Sequence, residues 1–444
     1  MPLLKYGKLS PTVRFALPVM AENILTMATV QVAAMLIGRI GGVSLAASGT
    51  GNNMITFTTA AFSMINTGTA VLISRLVGAR KEREASGMLE QAAGLLLLVS
   101  VAAALLFLAA ARPIMRLLMP VAEDLLMDEA VIYFRISAVS FPFLMLHTLL
   151  SGALRAAGNS RAAMYLGAGM NVLMVVLAWL FIVPCALGIL GAGLAYALAR
   201  LAGAVAGAVI VLRYHGRLVI LPRNIFRPRL AAWRHIFRIG APITLEQISV
   251  QSGYLIANSM AVGLGTLSAT TYQVCSSLNN LMWIPNGICM ATAQAMVGMR
   301  LGEGRPAEAR QVAWRIWLAG AVSVTLLGII MAMFGRTMAG LYSTDKAVID
   351  MSQPILWLSI FLSVPGMSIN SMDGTLRAGG DAKYVMAASM VGVWFIRLPL
   401  TWLLAYRLNM GVFGVFMANC ISLAFRMVMG IIRFASGKWI HQTI

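Results

Sequence analysis

Ser151-Gly152-Ala153-Leu154-Arg155-Ala156-Ala157-Gly158-Asn159-Ser160-Arg161 returns 222 positions later as Asp373-Gly374-Thr375-Leu376-Arg377-Ala378-Gly379-Gly380-Asp381-Ala382-Lys383. Working outward, Arg14, Pro18 and Glu22 match Arg238, Pro242 and Glu246 at 224 positions, and Gly188 and Gly191 match Gly411 and Gly414 at 223. Offsets that agree so closely over most of a half-chain mark a duplicated module. A repeat of this size in a very apolar chain is the signature of a membrane transporter.

Composition points the same way. Apolar residues make up 59% and charged residues 11%, against roughly 25% charged in soluble domains. Mean hydropathy is +0.83. At about 20 residues per span, the chain predicts an all-α polytopic membrane protein with twelve transmembrane helices in two pseudo-symmetric six-helix lobes. The apolar runs fall near 13–37, 50–74, 88–111, 130–152, 162–184, 188–212, 236–261, 272–298, 312–335, 351–373, 384–406 and 411–432. The expected organisation is an N-terminal lobe at 1–213, a basic linker at 214–235 and a C-terminal lobe at 236–444. The first apolar run lacks a small-residue cleavage site after it and reads as a span, not a removed signal.

The net charge of +19 invites a nucleic-acid reading, but its placement argues against one. With the N-terminus inside, 24 lysines and arginines fall on inner segments and six on outer ones, a strong positive-inside bias. Basic residues spread along one membrane face contact anionic lipid heads; nucleic acid is not expected as a partner. The expected location is the cytoplasmic (inner) membrane, with both termini and the Tyr214–His235 loop inside and Glu123–Glu129 outside. That acidic segment reads as a solvated loop favouring the next helix N-terminus, with a divalent-cation site as the alternative. Cys185, Cys275, Cys289 and Cys420 follow neither disulfide nor metal spacing. A phosphate-binding loop, a zinc-peptidase motif and a nucleophile elbow are all absent, so neither an ATPase nor an embedded enzyme is indicated.

Ionisable groups at membrane depth are costly and call for an explanation. Glu22 lies about nine residues, or roughly 13 Å, into the first span, and Glu246 stands at the equivalent place in the seventh. Each follows a proline by four residues and precedes an amide, Asn23 or Gln247. Taking a carboxylate out of water disfavours its charged form, which suits proton exchange. The other reading is structural: both acids cap loosened backbone or pair with a basic residue. Arg397 in the eleventh span is expected to neutralise Asp373 or Glu246, or to face a water-filled cavity. Arg200 is a candidate partner for Glu22, whereas Arg135 and Arg315 are placed to snorkel. His147 reads as a hydrogen-bonded core residue or a proton relay. Methionines such as Met282, Met290 and Met296 suit packing or an adaptable pocket.

Leu154-Arg155-Ala156-Ala157-Gly158-Asn159 and its twin, with Ile37-Gly38-Arg39-Ile40-Gly41, Gly188–Ala195 and Ile239-Gly240-Ala241-Pro242, resemble the multidrug and toxic compound extrusion (MATE) family of the multidrug/oligosaccharide-lipid/polysaccharide flippase group. The resemblance covers essentially the whole chain. It implies export of cationic or amphiphilic compounds, driven by H⁺ or Na⁺, by alternating access; a lipid or oligosaccharide-lipid flippase is the alternative. It implies no cofactor beyond the coupling ion, a small amphiphilic substrate and a monomer among membrane lipids. Four family positions differ, one of them a sixth-span threonine that falls at or near Tyr196. An aspartate common in the first span is Ala33, one four residues after Asn171 is Val175, and a seventh-span glutamate about eight residues after the proline is Val250. Asn171 alone offers one amide oxygen to a cation, so H⁺ is expected over Na⁺, with Glu22 or Glu246 as the carrier; were sodium to drive transport, its site is expected in the second lobe around Asp373.

Overall fold

The computed structural model of the chain describes residues 11–40, 42–118, 124–213, 222–225, 229–280, 283–340 and 345–440. In chain order the first half holds α1 (Pro11–Gly38), α2 (Gly42–Gly78), α3 (Glu82–Ala109), α4 (Ala111–Leu118), α5 (Asp124–Ala156), α6 (Ser160–Ile182), α7 (Gly188–Arg213) and α8 (Pro222–Ile225). The second holds α9 (Leu230–Gly263), α10 (Thr266–Asn279), α11 (Trp283–Gly302), α12 (Pro306–Met333), α13 (Gly335–Gly340) and α14 (Lys346–Ala378). Next come α15 (Ala382–Met390), α16 (Leu398–Trp402) and α17 (Gly411–Ala435), with α15 and α16 joined through a π-helical stretch at Val391–Arg397. Among the described residues the fold is all-helical, as expected.

Ten of these segments are long and apolar enough to cross a membrane by themselves. The other two expected spans take different forms. The segment expected at 236–261 is α9, whose 34 residues include Arg234, His235, Arg238 and Glu246. The one expected at 272–298 is broken into α10 and α11. Pro285 lies in the first turn of α11, where its missing N–H costs least, and it disfavours helical backbone in the residue before it. Two short helices, α4 and α13, follow α3 and α12 at matching places in the repeat.

The repeated sequence makes repeated turns. Asn159 N donates to Leu154 O and Asp381 N to Leu376 O, each at 2.9 Å, while Gly158 and Gly380 take φ of 89° and 84°. Only glycine adopts that backbone without strain, so the twin motif is a helix stop followed by a helix start. Asn159 then caps α6 by accepting from Ala162 N at 3.1 Å. Ala186 and Asn409, 223 positions apart, both have φ of 51°.

Internal contacts divide the chain into Met1–Gly240 and Ala241–Ile444. In the first unit α5 packs against α2, α3 and α7, and α1 lies against α6. In the second, α14 holds the matching place among α11, α12 and α17. Most of the expected linker, 214–221 and 226–228, lies outside the described residues. Its described part is anchored to α3: Gln91 donates to Asn224 O at 3.2 Å and accepts from Arg229 N at 2.7 Å.

Candidate functional site

In the first unit α1 carries Glu22 to the C-terminal end of α5. Arg155 Nη1 donates to both Glu22 carboxylate oxygens, at 2.8 and 2.9 Å, and to Ser151 Oγ at 2.8 Å. The Ser151 hydroxyl donates in turn to Glu22 Oε1 at 3.4 Å. Gly167 of α6 makes room for the carboxylate, since a Cβ there would stand 2.9 Å from Glu22 Oε1. One turn further along α1, Thr26 accepts from Asn171 Nδ2 at 2.8 Å. Asn23 turns back on its own helix, donating to Val19 O at 2.8 Å.

The second unit builds the same bridge and enlarges it. Arg377 Nη2 donates to Glu246 Oε2 at 2.6 Å, as Arg155 does to Glu22. The position of Ser151 is taken by Asp373, and that of Gly167 by Ser389, each 222 residues on. Ser389 Oγ donates to Glu246 Oε1 at 3.0 Å. The added carboxylate of Asp373 is matched by an added cation: Arg426 of α17 reaches Asp373 Oδ2 at 3.6 Å, Glu246 Oε1 at 3.5 Å and Ser389 Oγ at 2.6 Å. The result is a buried tetrad of two acids and two arginines with no net charge. Charge balance is what allows ionised groups at this depth. Its members are held unequally. Among the described residues Glu246 accepts from three donors, whereas Asp373 has a single, longer contact and lines a small cavity with Tyr384, Val385 and Gly430. Gln247, next to Glu246, lies on the exposed side of α9.

Two expected pairings are corrected. Arg200 does not neutralise Glu22: it donates to Ser140 Oγ at 2.7 Å, with its guanidinium 5.2 Å from the Tyr196 ring centre. Arg397 pairs with neither Asp373 nor Glu246, because Arg377 and Arg426 already hold both; it lies instead 4.0 Å over the Tyr254 ring. His147 is buried beside Gly203 and Met170. At the place where the family resemblance would seat a cation, Ala33 packs against Met174 and Ala199, an apolar wall. Of the acidic segment expected on the outer face, 121–123 lie outside the described residues, and Asp128 meets Arg112 at 3.4 Å.

Sequence reasoning missed the partners Arg155, Arg377, Ser389 and Arg426. A signal for the first two was present: each repeat keeps one glutamate and one arginine at nearly constant offset.

Comparison with known proteins adds the family. A family model described as MatE matches residues 18–180 and again 242–403. An uncharacterised transporter of Bacillus subtilis strain 168, YisQ, is 26% identical over 437 residues, covering 96% of this chain and 94% of the relative. A probable multidrug resistance protein NorM of Thermotoga maritima is 22% identical over 441 residues, covering 97% and 93%. A solved structure described as the outward-facing conformation of a multidrug resistance MATE family transporter superposes with a TM-score of 0.86 at 19% identity, covering 96% of each chain.

Proposed function

Because the chain belongs to the MatE family, we propose that it is a secondary exporter of amphiphilic drugs and toxic compounds, driven by inward proton flow. The multidrug designation of its NorM relatives supports the cargo class. The observation that carries the coupling reading is the buried tetrad of the second unit.

Within that tetrad Glu246 is held by three donors, from Arg377, Ser389 and Arg426. Asp373 is the proton carrier. It is the acid with one long contact, it borders a cavity, and it is the carboxylate that the first unit lacks. Protonating it leaves the cluster with one excess positive charge, which biases the lobe toward a second arrangement. Sodium is disfavoured because it needs several oxygens, and the Ala33 wall supplies none. In the first unit the Glu22–Arg155 bridge is the structural counterpart, without a second acid to titrate. The termini lie on the cytoplasmic side, a reading that rests on the basic bias of the segments on that side.

The test is gradient-driven dye export by Asp373→Asn in inverted membrane vesicles. Asparagine keeps size and hydrogen bonding but cannot exchange a proton. Loss of export with normal expression and elution is the expected result. Export at the wild-type rate would overturn the assignment of Asp373.

A further inference from the structure

Among the described residues of the second unit, Arg397 is a buried arginine with no acid partner. It lies in the span Ala382–Arg407, about 15 Å from the outer end and about 22 Å from the inner one at ~1.5 Å per residue. The residue is 3% exposed. Among the described residues its guanidinium has no carboxylate partner, and the enclosed Nε has no acceptor. The acids at membrane depth in its own lobe, Glu246 and Asp373, are held by Arg377 and Arg426. Arg135 and Arg315, by contrast, are exposed along their helices, and Arg200 has the Ser140 hydroxyl.

The backbone is shaped around this side chain. Arg397 ends the π-helical stretch Val391–Arg397, just before Pro399. Proline cannot donate to the carbonyl four residues back, and its ring crowds that carbonyl, so the helix widens there. Single π-helical turns gather at functional sites. The widened turn is fastened to α9 at three points. Trp394 Nε1 donates to Ser249 Oγ at 2.8 Å, Val393 fills the space over Gly253, and Arg397 stacks on Tyr254. A guanidinium lying over a ring engages it through its face, with its N–H donors along its edge; among the described residues the enclosed Nε has no acceptor. That edge is a fork matched to a carboxylate or a phosphate.

We infer that the Arg397–Tyr254 stack in the second unit is a recognition site for the anionic head of an exported amphiphile, a carboxylate or a phosphate. The inference rests on the exporter reading and narrows its cargo. A cationic head would meet an unpaired positive charge here, whereas an anionic one supplies the missing acceptor. Val250, where the family resemblance would place a glutamate, stands one turn before Tyr254 and removes the negative charge that a cationic cargo would seek.

The test is equilibrium binding to purified protein with no gradient imposed, using two fluorescent probes with the same dansyl-undecyl body, one ending in a carboxylate and one in an amine. A second arm compares bicelles of phosphatidylglycerol with bicelles of phosphatidylcholine. Wild type is expected to prefer the carboxylate probe, and Arg397→Gln to bind it about 10–100-fold more weakly, the range for losing a hydrogen bond to a charged group. The amine probe should not distinguish the two proteins. Arg397→Lys keeps the charge but loses the fork, so it should keep the order of preference with weaker carboxylate binding; it also serves if the glutamine variant does not fold. Arg397-dependent preference for phosphatidylglycerol alone would place the same head-group chemistry on a lipid. Equal binding of both probes, and of both bicelles, by wild type and Arg397→Lys would overturn the inference. Failure of gradient-driven export with Arg397-dependent binding intact would count against the exporter reading alone.

Discussion

Replacing Glu246 with glutamine tests whether the tetrad is one electrostatic unit. In the native arrangement Glu246 and Asp373 balance Arg377 and Arg426; the substitution leaves one positive charge unmatched. The Glu246 and Arg377 side chains are 5% and 9% exposed, so solvent does little to relieve the imbalance. Breaking a buried pair by removing one partner costs about 3–5 kcal/mol. The equivalent change in the first unit, Glu22→Gln, exposes Arg155 in a wetter place, with side chains 14% and 25% exposed, and should cost about 1–2 kcal/mol. Adding Arg377→Gln to Glu246→Gln restores neutrality through Asp373 and Arg426, so the double variant should recover part of the loss, with a coupling of about 1–3 kcal/mol. Denaturant or thermal unfolding of the purified proteins in one detergent reads all four. A Glu246→Gln variant as stable as wild type, or a double variant whose loss is the sum of the singles, would refute the reasoning.

Gly167→Ala should push Glu22 off its bridge, since the new Cβ would stand 2.9 Å from Oε1 and 3.0 Å from Cγ; a loss of about 1–3 kcal/mol in unfolding is expected, and none would mean that the carboxylate has room to shift. Ala186→Gly should stabilise the protein by about 1 kcal/mol by relieving a φ of 51°, with Asn409→Gly gaining less because asparagine tolerates that region; a lower melting temperature for Ala186→Gly would contradict this. On intact cells, an impermeant thiol reagent should modify a cysteine placed at Asp128 and spare one at Arg80, and the reverse pattern would invert the topology.

Apolar runs and the repeat offset were enough to read most helices of each half, because span length and composition are local; that the twin motif is a helix stop at Gly158 and Gly380 came from the structure. The break between α10 and α11 was harder: Pro285 is plain in the sequence, but the surrounding apolar run reads as one span. The short helices α4 and α13 carry too few residues to signal themselves. For the site, the matching places of Glu22 and Glu246 along α1 and α9 were legible in the sequence, but their partners were not. Depth fixes the level of a side chain, whereas partnership depends on which neighbouring helix faces it. Arg200 and Arg397 sit at plausible levels for Glu22 and Asp373, yet each faces a tyrosine ring. Arg155 and Arg377, placed among inner basic residues by charge counting, fold back to the acids.

The central claim is that protons, exchanged at Asp373, drive export. The most direct measurement is dye transport by purified protein in proteoliposomes with H⁺ and Na⁺ gradients imposed separately, for wild type and Asp373→Asn. The account predicts transport by wild type under the proton gradient alone, none under a sodium gradient once an uncoupler has collapsed the proton gradient, and none by Asp373→Asn under either. Sustained sodium-driven transport in the presence of the uncoupler, or proton-driven transport by Asp373→Asn, would contradict it.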